Sequence, residues 1–104
     1  MEFDHIIGEL RSFMNERGQL TALPSKHKKK LIAYYYLATK IESEREYTES
    51  DINDLLNEWA LFHDPATLRR ELYNKRLLNR TSDGKKYWKA EEPLSLEDFI
   101  EKYI

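Results

Sequence analysis

Between Leu31 and Ile41 the chain carries apolar side chains at Leu31, Ile32, Tyr34, Tyr35, Tyr36, Leu37, Ala38 and Ile41. Wound as an α-helix at about 100° per residue, they occupy well over half of its circumference. A helix apolar on so many sides must be covered on more than one face. That places residues 25–41 at the centre of the fold, with another helix of the same chain or a second subunit on the far side. The chain has 104 residues, enough for one domain with a single core and at most a small cleft.

The segments around this helix carry clear local signals. Phe3, Ile6, Ile7, Leu10, Phe13 and Met14 recur at helical spacing, which predicts an amphipathic helix over 3–16 with Gly18 as its C′ stop. Residues 19–24 form a short extended connector, because Pro24 disfavours a helical Leu23. Ser25 is expected to cap the central helix. Thr48 and Asp51 have the spacing of a capping box, with Tyr47 and Ile52 as its hydrophobic staple. A third helix then runs through Ile52, Leu55, Leu56, Trp59 and Ala60. Asp64-Pro65 gives an N-cap followed by proline at N1, so a fourth helix starts abruptly and runs to about Lys75. Residues 77–81 and 86–89 flank an Asp83-Gly84 turn and read as a β-hairpin. Tyr87 and Trp88 fall on opposite faces of it, so one should pack on the core. Ser95 caps a last helix, with Leu94 and Phe99 as the staple pair, and 90–93 is the candidate linker.

This order is helix, short Tyr47 strand, helix, tight turn, helix, hairpin. It is the order of a winged helix, in which the hairpin is the wing and the fourth helix takes the recognition position. The expected fold is α+β, mostly α: a single domain over 1–104, with a winged-helix core at 25–89 and flanking helices at 3–16 and 95–104.

Charge and composition narrow the function. There is no cysteine, which removes disulfides, thiol nucleophiles and thiolate metal sites, and the three glycines are too far apart for a phosphate-binding loop. The longest uncharged stretch, 31–39, is too short to span a bilayer. The N-terminus lacks the basic start of a signal peptide, so a cytoplasmic protein is expected. The formal net charge of −2 hides a pattern: 25–41 carries +5, 42–64 carries −7 and 65–90 carries +6. Such asymmetry bears on partners rather than on fold.

The residues also resemble a known family. Ala22-Leu23-Pro24-Ser25-Lys26 and Lys29-Lys30-Leu31-Ile32-Ala33 look like its opening block, and Tyr47-Thr48-Glu49 with Ile52-Asn53-Asp54-Leu55-Leu56 look like its second. Asp64-Pro65-Ala66-Thr67-Leu68-Arg69-Arg70-Glu71-Leu72 and Gly84-Lys85-Lys86-Tyr87-Trp88 look like its third. It is an uncharacterised bacterial domain family, found alone or attached to helix-turn-helix transcriptional regulators. The resemblance covers about residues 20–90. It implies a bacterial, regulator-like context and brings no ligand or catalytic residue.

Three clusters are candidate sites. On the fourth helix, Leu68 and Leu72 turn inward, and Trp59 is expected largely buried beside them. Arg70 and Tyr73 then face outward, flanked by Thr67, Arg69 and Asn74. Arginine and asparagine read base edges, and Thr67 near the helix start suits a phosphate; a solvated helix face is the plainer reading. On the wing, Lys85, Lys86 and Lys89 surround Tyr87 and Trp88, either as a basic finger or as guards of an exposed strand edge. Lys26, Lys28 and Lys29 stand at a helix N-terminus, where the macrodipole disfavours cations unless an anion answers them. The histidines (His5, His27, His63) are too dispersed for a metal or a catalytic dyad, so no cofactor and no enzyme activity are expected.

Two functions remain. The first is a winged-helix DNA-binding, transcription-regulatory protein with double-stranded DNA as partner. The second is a winged-helix module that binds another regulatory protein and no DNA. A winged-helix core alone would leave the central helix partly bare, so either the terminal helices pack over Tyr34, Leu37 and Ile41 of the same chain or they pair two chains into a homodimer, the arrangement expected here.

Overall fold

Three short strands pair into one small sheet beside the helices. The computed structural model describes residues 2–91 and 94–104, without the side chains of residues 2, 3 and 5. Phe3 and His5 as side chains, and Glu92 and Pro93 of the expected linker, therefore lie outside the described residues. The elements are α1 (Glu2–Leu10), a 3₁₀ turn (Arg11–Phe13), α2 (His27–Ala38), β1 (Glu46–Tyr47), α3 (Glu49–Trp59), α4 (Pro65–Asn74), β2 (Leu78–Arg80), β3 (Tyr87–Lys89) and α5 (Leu96–Tyr103). The strands form one antiparallel sheet in the order β1-β3-β2, with Tyr47 opposite Tyr87 and Arg80 opposite Tyr87. The fold is α+β and mostly α. Its element order and strand pairing agree with the winged-helix order expected over 25–89.

The start signals of α3 and α4 work as the sequence predicts. The Asp51 amide donates to Thr48 Oγ1 at 3.0 Å and the Thr48 amide donates back to the Asp51 carboxylate at 3.4 Å. Asp64 accepts from the Thr67 amide, with Pro65 at the first helical position. Leu68 and Leu72 are buried, as are both staple residues Tyr47 and Ile52. On the hairpin Tyr87 is buried and Trp88 is only half-buried.

Several expectations need correction. The first helix ends at Leu10 rather than 16. Asn15 Oδ1 accepts from the Arg17 and Gln19 amides, offering the backbone a turn in place of another helical step. Met14 then bridges to Leu20, and Leu20 bridges to Ala60. Gly18, at φ +78°, shapes this turn rather than stopping a helix. Ser25 does not cap α2: the chain stays extended through Lys26, so the serine stands one residue too early. The helix ends at Ala38, where Thr39 Oγ1 donates to the Tyr36 carbonyl. Trp59 is half-buried, and lies at Gly18 with the Lys40 ammonium 4.1 Å above its ring. Leu94 remains 39% exposed, so it is a poor staple for Phe99.

The central helix is covered as its pattern requires. Leu31, Ile32, Ala33, Tyr34, Tyr36, Leu37 and Ala38 are all buried. Helices α1, α4 and α5 pack on α2. Phe99 of α5 lies 5.5 Å from Tyr35 and 5.0 Å from Tyr103 between ring centroids, and the Tyr35 hydroxyl donates to the Leu94 carbonyl. The cover that motivated a homodimer thus comes from the terminal helices of the same chain. The apolar surplus on α2 no longer calls for a second copy.

Two predictions follow from this core. The Tyr36 hydroxyl donates to the Gly18 carbonyl at 2.7 Å, and a Cβ on Gly18 would sit 2.8 Å from that oxygen. Gly18→Ala adds a steric conflict to a left-handed conformation and should cost about 1–3 kcal/mol in urea melts. Gly8→Ala, in an open helical position, should be neutral or stabilising by up to about 1 kcal/mol. Burial, reinforced by the Glu71 carboxylate, pushes the Tyr34 phenol from 10.0 up to about 12. An unfolded phenol ionises first, so this stability is intact below pH 10 and is lost as pH climbs toward 12. The loss is on the order of 2 kcal/mol. Urea midpoints of Tyr34→Phe should fall less steeply over that window than those of the parent.

Candidate nucleic-acid interface

An open groove of about 880 Å³ runs between the start of α3, the outer face of α4 and the wing. From α4 it is lined by Ala66, Arg69, Arg70, Tyr73 and Asn74, and from the hairpin by Arg80, Asp83, Gly84, Lys85 and Tyr87. The groove therefore gathers five of the residues singled out from sequence: Arg69, Arg70, Tyr73, Asn74 and Lys85. Helical spacing explains the α4 set, because with Leu68 and Leu72 inward, Arg70 and Tyr73 must point away from the core.

The cations in it have different tasks. The Arg69 guanidinium donates to Asn53 and lies 3.2 Å from Glu49, both on α3. Its side chain is only 18% exposed. Arg69, expected on the flank of the outward face, is a strut between two helices that also lines the groove. Arg70 is exposed and, among the described residues, has no carboxylate partner. Arg80 lies over the Tyr73 ring at 4.8 Å, joining wing to helix. Sequence reasoning passed over Arg80. The signal was available: it pairs with Tyr87 and shares a strand face with Leu78, so it continues the core face beyond the last apolar residue.

The wing turn is tightly wired. Asp83 Oδ1 accepts from the Thr81 hydroxyl at 2.6 Å and from the Lys85 amide at 3.0 Å. The Thr81 bond first, and that amide next, hold the Asp83 carboxyl below its usual range. The Lys86 amide donates to Thr81 Oγ1, and Gly84 takes φ +71° to close the turn. These bonds hold the turn that presents Lys85.

The remaining candidates lie elsewhere. Lys86 reaches Glu46 of β1 at 3.7 Å, on the opposite side by strand alternation. Lys89 lines a small cleft of about 60 Å³ with Tyr35, Ala38, Thr39 and Leu77. Thr67 is half-buried, with its amide taken by Asp64. Lys26 and Lys28 are exposed at the start of α2, while Lys29 lies over Phe13 at 5.8 Å. None of these three lines the groove. Among the described residues no group of three or more histidine, cysteine or acidic side chains is placed to hold a metal, and no helix is long and apolar enough to cross a membrane.

Fold and groove together define an α+β domain that presents an exposed helix and a wired hairpin around a cation-rich cleft. The chain belongs to a bacterial family described as "Uncharacterized protein conserved in bacteria (DUF2087)", whose model matches residues 19–89. That span runs from the residue before Leu20 to the end of β3 and leaves α1 and α5 outside. Neither the curated proteins nor the solved structures yield a match.

The inside–outside assignment of α4 can be checked by stability alone. Leu72→Ala should cost about 2–5 kcal/mol, because the side chain is fully buried. Arg70→Ala should stay within about 0.5 kcal/mol. Urea melts giving the reverse order would mean the helix is rotated relative to this description.

Proposed function

We propose that the chain is a bacterial winged-helix protein that binds double-stranded DNA and acts in transcription regulation in the cytoplasm. One observation carries this reading. The exposed face of α4 and the hairpin that follows it turn Arg70, Tyr73, Asn74, Arg80 and Lys85 into one groove. Arg70 and Asn74 have the donors that read base edges, and Lys85 and Arg80 suit the phosphates on either side. The regulator-like context that the sequence resemblance implies points the same way. An association module without DNA contact would gather apolar surface instead. Among the described residues the exposed large hydrophobic side chains are Leu61, Tyr73, Leu94 and Ile104, which belong to separate segments, with Tyr73 alone in the groove; single exposed side chains of this kind are ordinary for a protein surface.

Binding should be salt-dependent, with log K falling by roughly 0.9 per phosphate contact for each unit of log salt. Lys85→Glu should weaken binding to every duplex alike, and more than Lys86→Glu does, since Lys86 faces away from the groove. Arg70→Ala should alter preference between sequences. Fluorescence anisotropy with long mixed duplex at low salt tests this, and absence of binding there would refute the proposal.

A further inference from the structure

Helix α4 ends in a Schellman motif. The Leu77 amide donates to the Leu72 carbonyl at 2.9 Å and the Arg76 amide donates to the Tyr73 carbonyl at 3.1 Å. Leu72 and Leu77, the hydrophobic pair that accompanies such a motif, are both buried. This geometry requires a left-handed residue at C′, where glycine is the usual choice. The chain places Arg76 there, at φ +60°. Strain alone does not mark a site, because Glu44 and His63 also have positive φ.

A second observation distinguishes Arg76. It lines another open groove, of about 550 Å³, with Tyr73, Asn74, Asn79 and Ala90. Tyr73 and Asn74 border this groove and the larger one, so the two meet along the end of α4. Among the described residues, Arg69, Lys75 and Lys86 of 65–89 are paired with carboxylates, whereas Arg70, Arg76, Arg80, Lys85 and Lys89 have no carboxylate partner, and all of these but Lys89 line one of the two grooves. Arg76 is thus an exposed, unpaired guanidinium held at a position where its backbone is disfavoured.

We propose that Arg76 is a DNA phosphate contact, carrying the interface past the C-terminal end of α4 into the second groove. This rests on the DNA-binding reading above. Backbone strain retained at such a position is offset by what the side chain contributes in the complex. The assignment predicts opposite effects on fold and on binding.

The full chain is compared with Arg76→Gly, Arg76→Lys and Arg70→Ala by urea melts and by anisotropy on mixed duplexes between about 50 and 200 mM salt. Arg76→Gly should melt at or above the parent's urea midpoint, since glycine adopts the C′ conformation without strain. It should bind every duplex more weakly, with a salt slope shallower by about 0.9. Arg76→Lys should keep the slope. If Arg76→Gly binds as the parent does while Arg70→Ala is impaired, the role of Arg76 is refuted and the DNA reading stands. A lowered urea midpoint in Arg76→Gly would make Arg76 a structural residue and also refute the assignment. If the parent binds no duplex, both fall together.

Discussion

The fold depends on the covering of α2. A helix that buries Leu31, Ile32, Tyr34, Tyr36 and Leu37 cannot present one face to solvent. Helix α4 takes one sector and α1 and α5 take others. The N-terminal segment does more than cover. Leu20 accepts from the Leu61 amide and donates to the Trp59 carbonyl, both at 2.8 Å. The turn between α3 and α4 is therefore held by a strand-like contact from outside the helix pair. That contact limits how α4 can tilt, and hence where its outer face meets the wing.

The same economy governs the charges. Arg69, Lys75 and Lys86 hold the fold at α3, within α4 and across the sheet respectively. Surface pairs of this kind contribute little individually. Arg69 counts for more, because it is largely covered and bonded to both Asn53 and Glu49. Removing it would leave those polar groups to find water in a partly closed site. Among the described residues of 65–89, the arginines without a carboxylate partner are Arg70 and Arg76, on the outer face and end of α4, and Arg80 on the hairpin. A groove lined by unpaired cations at a rigid turn needs little reorganisation when an anion arrives.

Much of this was legible in the sequence, and what was missed has physical causes. Thr48 with Asp51, Asp64 with Pro65, and Asp83 with Gly84 are local signals whose partners lie within a few residues, and each formed as read. The period of α4 fixed Leu68 and Leu72 inside, and so Arg70 and Tyr73 outside. Ser25 failed as a cap because the extended N-cap position falls one residue later, at Lys26. The helix break after Leu10 was set by Asn15 and by the distant Ala60, which no local pattern announces. Lys86 and Lys89 were grouped with Lys85 by proximity along the chain, although strand alternation and position separate them. The contact of Arg80 with the Tyr73 ring forms only when the hairpin folds back on α4, and the left-handed backbone of Arg76 was missed because the chain has no glycine there to announce it.

The acidic balance of the chain is compatible with a polyanionic partner because fields are local. Charges farther apart than about 8 Å are largely screened at physiological salt. Glu42, Glu44 and Asp54 do not line the groove, whereas Arg70, Arg80 and Lys85 do. The acidic side chains that do line it, Glu49 and Asp83, are engaged by Arg69 and by the wing turn. Net charge then acts on encounter rather than on contact: an overall −2 gives little long-range attraction to a phosphate backbone. On the DNA-binding reading proposed above, recognition falls to the few cations of the groove, which makes its geometry, and not the chain's composition, the determinant of binding.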